Sequence, residues 1–168
     1  EALGPRVQLL GSGAILREVV AAADLLAEHF AVNSDVWSVT SFTELRRDGL
    51  EVERWNRLHP TEAPRRAYLE TALAARPGPY VAATDYMRAF ADQIRPWVPG
   101  RYTTLGTDGF GRSDYRAQLR RFFEVDRFHI AVAALKALAD DGSVEPGLVQ
   151  DAIGRYGIDA DADAPWTR

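Results

Sequence analysis

The chemically suggestive residues cluster in Leu105–Asp114, where Gly106, Gly109 and Gly111 fall within six positions and Asp108, Phe110, Arg112, Ser113 and Asp114 stand among them. Backbone N–H groups of a glycine turn at a helix start form a positively polarised nest, the chemistry that holds a small anion. Asp108 and Asp114 oppose that reading by adding negative charge. The competing reading is a loop that shapes an interface or braces its own fold. Just beyond, Arg112, Arg116 and Arg120 fall at i, i+4 and i+8, one stripe if the segment is helical, with Arg121 and Arg127 near. Such a stripe suits an acidic partner or a phosphate. A solvated face with ion pairs to Asp114, Glu124 and Asp126, worth about 0–1 kcal/mol each, is the plainer expectation.

Other motifs are weaker. Gly11-Ser12-Gly13 sits between a strand and a helix, yet the dinucleotide fingerprint needs a further glycine where Leu16 stands. A tight turn with Ser12 capping the helix is the expectation there. No Gly-Lys-Ser/Thr triplet occurs, which excludes a P-loop. His29, His59 and His129 have no partners at metal-ligand spacing and none sits in a nucleophile elbow, so each reads as a helix-end or partly buried imidazole. Trp37, Trp55 and Trp97 read as core or interface anchors, whereas Trp166 matters only if the tail docks. No catalytic, cofactor-binding or metal-binding residue is assigned. The turn residues Gly106, Asp108, Gly109, Phe110, Gly111, Arg112, Ser113 and Asp114 remain the candidate interface or anion site.

These residues need a scaffold, and the pattern supplies one. Val7–Leu10, Ser34–Thr40, Tyr80–Thr84 and Tyr102–Leu105 read as short strands, the last leading into the glycine turn. Between them, Ile15, Val19, Ala22, Leu26 and Phe30 recur at helical spacing, with Arg17, Glu18, Asp24 and Glu28 on the opposite, polar face. Thr40, Ser41 and Thr43 offer caps for a polar helix, expected to break at Gly49 and resume to about Leu58, where His59-Pro60 closes it. A short helix is expected over Arg65–Ala75, and another capped by Thr84 or Asp85 with Met87, Phe90, Ala91 and Ile94 inward. Ser113 or Asp114 caps a helix carrying Leu119, Phe122 and Phe123. Phe128–Leu138 is apolar nearly all round, the mark of a buried helix. Pro146 opens the last helix and Gly157 caps it. Strands alternating with helices predict an α/β fold, three layers with a mixed, mostly parallel sheet.

At 168 residues, with 46% apolar and 26% charged residues, the chain fits one ordinary globular domain over 1–168, with a linker at 1–6 and a polar tail at 158–168. A net charge of -4 argues against nucleic acid and anionic membrane as partners. No apolar run approaches the roughly 20 residues of a membrane span. The lack of cysteine excludes disulfides and thiolate chemistry and suits the cytoplasm. The start at Glu1-Ala2-Leu3-Gly4-Pro5, without Met or signal peptide, reads as a piece of a longer polypeptide.

The strings LLGSGAILREV, DVWSVTSFTELRRDGLEVERWNRLHP, ATDYMRAFADQIRPWVPGRY, LGTDGFGRSD and FFEVDRFHIAVAALKALADDG, in this order, resemble the C-terminal domain of the homodimeric pyruvate dehydrogenase decarboxylating component, a thiamine-diphosphate-dependent family. The resemblance runs from about Val7 to Asp163. It implies a transketolase C-terminal-like fold within an enzyme that decarboxylates pyruvate and reductively acetylates a lipoyl group. It also implies thiamine diphosphate and Mg²⁺ held by upstream domains, and none by this chain. The family's Gly-Asp-Gly and Asn-Asn cofactor motif is absent here, since Thr107 precedes Asp108-Gly109. The implied partners are the upstream domains, a homodimer partner and the dihydrolipoyl acyltransferase component, and the implied role is dimer-stabilising. Two alternatives stand beside it: a regulatory domain sensing an anion or docking a partner at the glycine turn, and the same domain of a relative acting on another 2-oxoacid.

Overall fold

In the computed structural model, which describes residues 4–167, the strands are β1 (Arg6–Gly11), β2 (Asn33–Ser38), β3 (Tyr80–Ala83) and β4 (Tyr102–Leu105). They form one sheet in the order β2-β1-β3-β4, and every pairing is parallel. The expected mixed sheet is thus all parallel across these four strands. Residues 1–3 of the expected linker and residue 168 of the tail lie outside the described residues.

Side chains alternate across the sheet and build two cores. Val7, Leu9, Val81 and Ala83 face one side and pack on α1 (Leu16–Phe30), α6 (Arg127–Asp140) and α7 (Pro146–Arg155). Leu10, Tyr80, Ala82 and Tyr102 face the other and pack with residues of α2 (Phe42–Leu58), α3 (Tyr68–Leu73) and α4 (Arg88–Asp92). The result is the three-layer α/β/α arrangement the alternation predicts. α6 is the buried helix: Ile130, Ala131, Ala134, Leu135 and Leu138 are fully covered. Inside central β1, Gln8 is wholly buried, and its amide is satisfied. It accepts from Trp37 Nε1 at 2.8 Å and donates to Asp35 Oδ2 at 2.8 Å and Pro77 O at 3.0 Å.

Several local expectations need correction. α2 runs unbroken through Gly49, which is buried because the Trp97 indole lies on it. A Cβ there would stand 2.2 Å from Trp97 Cε2. Ser41 caps α2 as expected, accepting from Glu44 N at 3.2 Å. The helix expected over Arg65–Ala75 shortens to α3. Neither Thr84 nor Asp85 caps α4, whose cap residue is Met87; Ala91 and Ile94 are buried, while Met87 and Phe90 are exposed. Ser12 caps no helix: its hydroxyl donates to Thr84 Oγ1 at 2.9 Å, tying the ends of β1 and β3 together. Gly157 does terminate α7, with φ of +57° and the Ile158 N–H closing back onto Ile153 O at 3.0 Å.

Candidate functional site

The glycine turn leaves the carboxyl end of β4, as the sequence implies, and each of its glycines does something different. At Gly106 the chain passes so close to the segment after β3 that a Cβ would stand 2.6 Å from Tyr86 O and 2.7 Å from Arg88 N. Thr107 completes the join, its N–H donating to Tyr86 O at 2.9 Å and its hydroxyl to Asp85 O at 2.8 Å. Asp108 accepts from Arg88 N at 3.1 Å and sits 2.9 Å from Arg88 Nε, so its charge is neutralised outside the turn. Gly109 takes φ of +101° and abuts the backbone of Trp166. Gly111 has open space where a side chain would be.

The tail therefore docks. Pro165 is buried, and the Arg88 guanidinium lies 4.3 Å from the centre of the Trp166 ring. The tail is not simply polar: the turn, the α4 start and Trp166 brace one another. Phe110, by contrast, is 87% exposed.

The helix after the turn, α5 (Arg116–Phe122), begins later than expected. Its cap position is Tyr115, without a side-chain bond; Asp114 Oδ1 accepts from the adjacent Tyr115 N, and neither Asp114 nor Ser113 is the cap residue. Arg112 thus precedes the helix and the expected helical stripe is not one. Arg112, Arg116 and Arg120 nevertheless converge, lining one cleft of about 370 Å³. Arg112 lies over the Phe122 ring at 4.2 Å. A larger cleft of about 550 Å³, between the β2 edge, α2 and α3, is lined by Glu44 and Asp48 and by no cation.

The ion pairs differ from those expected. Sequence reasoning placed Glu18 on the polar face of α1, opposite its apolar stripe. It is only 5% exposed and binds Arg120 at 2.8 Å and both the side chain and backbone N–H of Arg127, at 3.0 and 3.1 Å. Burial pushes its pKa up, and the Arg127 bonds with the nearby Arg120 charge outweigh this, holding it below the ordinary carboxylate value. Its partners lie more than a hundred residues away, so no local pattern announces it. Asp126 accepts from His129 N and Nδ1 at 2.9 and 2.7 Å while capping α6; burial raises its pKa, and the His129 bonds lower it by more. Of the expected partners for the arginines, Asp126 takes Arg121, at 3.6 Å. His29 meets Tyr156 OH at 3.1 Å, and His59 bonds Trp55 O at 2.9 Å, stacked on its ring.

Among the described residues no three His, Cys, Asp or Glu side chains lie close enough to hold a metal ion. No helix among them is long and apolar enough to cross a membrane.

A family model described as the transketolase-like TK C-terminal domain matches residues 1–126. Three curated relatives, all called pyruvate dehydrogenase E1 component, are similar over nearly the whole chain. That of Pseudomonas aeruginosa is 61% identical over 160 residues, 95% of this chain. That of Cupriavidus necator is 58% identical over 97% of it, and that of Escherichia coli K12 is 55% identical over 95%. The chain spans 18% of the length of each of these relatives. A solved structure titled split gene transketolase, inactive beta4 tetramer, shares the fold with a TM-score of 0.53 at 17% identity, covering 81% of this chain and 40% of that one.

Proposed function

This chain belongs to the transketolase-like C-terminal domain family, and from that premise we propose that it is the C-terminal domain of a pyruvate dehydrogenase E1 component in the cytoplasm. The parent enzyme decarboxylates pyruvate and reductively acetylates the lipoyl group of an acyltransferase. Thiamine diphosphate and Mg²⁺ are held on the rest of the polypeptide. The observation that carries this reading is 61% identity over 95% of the chain to a protein of that name. Within the enzyme this domain packs against its own chain's other domains and the second subunit.

Support for the packing role comes from the carboxyl end of the sheet. Tyr86, Met87, Phe90, Phe110, Tyr115 and Trp166, large side chains with apolar surface, are all exposed there or in the adjoining turn and tail. The Tyr86 and Phe90 rings meet at a tilt, their centres 5.5 Å apart, and the Arg88–Asp108 and Arg88–Trp166 contacts join that pair to the turn. Exposed aromatics of this kind become the anchors of a buried interface. The deciding experiment compares pyruvate decarboxylation, with thiamine diphosphate and Mg²⁺ supplied, by the full-length polypeptide and by this chain alone. The full-length protein turns over and the chain alone does not; turnover by the chain alone refutes the division of labour.

A further inference from the structure

The order β2-β1-β3-β4 has a topological switch between β1 and β3. From β1 the chain departs through α1 on one face toward β2; from β3 it departs through α4 on the other face toward β4. Loops that part in this way leave a crevice at the carboxyl ends of the strands, the place where open parallel sheets bind ligands. The 370 Å³ cleft occupies that place. Ala14 comes to it from the end of β1, Asp85 from β3 and Thr107 from β4. Its volume falls within the range of about 300–1,000 Å³ typical of small-molecule sites.

The lining has a definite chemistry. Ile15, Leu119, Phe123 and Val125 supply an apolar wall. Arg120 is committed to Glu18, so the cations left to a ligand are Arg112 and Arg116, neither of which has an acidic partner among the described residues. Asp85 is the one acidic side chain in the lining, and it too has no ion pair among them. Asp108, the charge that argued against an anion on sequence grounds, faces Arg88 and is absent from the cleft. We propose that this cleft is a binding site for a small amphipathic anion, with a phosphate or carboxylate head on Arg112 and Arg116 and an apolar body against Leu119 and Phe123. Asp85 sets an upper limit on the charge accepted and offers a bond to a ligand hydroxyl.

Phenyl phosphate is the probe, titrated calorimetrically into the full-length polypeptide carrying this chain, with phenol and inorganic phosphate in parallel. Phenyl phosphate binds saturably and more tightly than either of its halves. Replacing both cations (Arg112→Gln with Arg116→Gln) weakens it by about tenfold or more, the loss of charge-assisted hydrogen bonds. Asp85→Asn acts in the opposite direction, tightening the probe about threefold by removing a like charge. Opposite signs from neighbouring exposed residues separate ligand contact from general loosening, and unchanged thermal melts of the variants confirm folding. No binding of phenyl phosphate, binding indifferent to both arginines, or inorganic phosphate binding equally well would each overturn the proposal.

Discussion

Among single residues, the three glycines of the turn make the clearest contrast. Gly106→Ala drives a methyl group into backbone atoms of Tyr86 and Arg88, so it costs about 1–3 kcal/mol, whereas Gly111→Ala, facing open space, changes stability by less than about 0.5 kcal/mol. Chemical denaturation of the two variants checks both. Glu18 and Asp126 are the two buried carboxyls that contribute to the acid response. Both carboxyls titrate below their ordinary values of 4.5 and 3.8 when folded, so in acid the unfolded chain binds more protons than the folded one. Their contribution is complete above about pH 5 and drains away as pH falls through the lowered values. Glu18→Gln is expected to cost about 1–3 kcal/mol at pH 7 and to flatten the loss of stability between pH 5 and 3, read from urea unfolding across that range. An unaltered acid slope would show that Glu18 is not the group responsible. Glu18 also marks where sequence reasoning fails: an acid among apolar residues at helical spacing looks solvated until distant arginines are known to cover it.

At the level of elements, glycine within a helix has two meanings that only packing separates. Gly154 in α7 has nothing near its missing Cβ, and Gly49 in α2 carries the Trp97 ring. Gly154→Ala should therefore raise stability by about 0.5–1 kcal/mol through helix propensity alone. Gly49→Ala should lower it by about 1–3 kcal/mol, because overpacking exceeds the propensity gain. Thermal unfolding of the pair tests this, and a stabilising Gly49→Ala would mean the indole does not rest on α2. The same contrast explains how much of the architecture was legible. The strands, α1 and α6 followed from apolar spacing, because their burial is broad and continuous. Gly49 was misread as a break because its reason is a tryptophan nearly fifty residues on. Met87 and Phe90 were placed inward because short helices have too few turns for spacing to fix a face; α4 buries only Ala91 and, just beyond its end, Ile94. The glycine turn was located correctly, but the cleft beside it was not visible, since Ile15 and Asp85 reach it only through the sheet.

For the molecule as a whole, the exposed aromatics divide structure from assembly. Phe110 is 87% exposed, so Phe110→Ser should leave the melting temperature of this chain nearly unchanged. In the full-length protein the same change should weaken subunit or domain association by about 1–3 kcal/mol, the scale of an interface anchor. Sedimentation equilibrium measures the second effect; equal association of variant and parent would remove Phe110 from the interface. The central position of β1 has a kinetic consequence. Its first partner, β2, begins 27 residues after β1 does, but Gln8 pairs with Tyr80 on the other side. During synthesis of this domain β1 can zip onto β2 at once, yet it waits with one edge bare until nearly half of these 168 residues have emerged. Closing that long loop, rather than forming any helix, is then the slow event in assembling the sheet, and the amino-terminal half of this domain is its span most in need of protection from sticking to its neighbours.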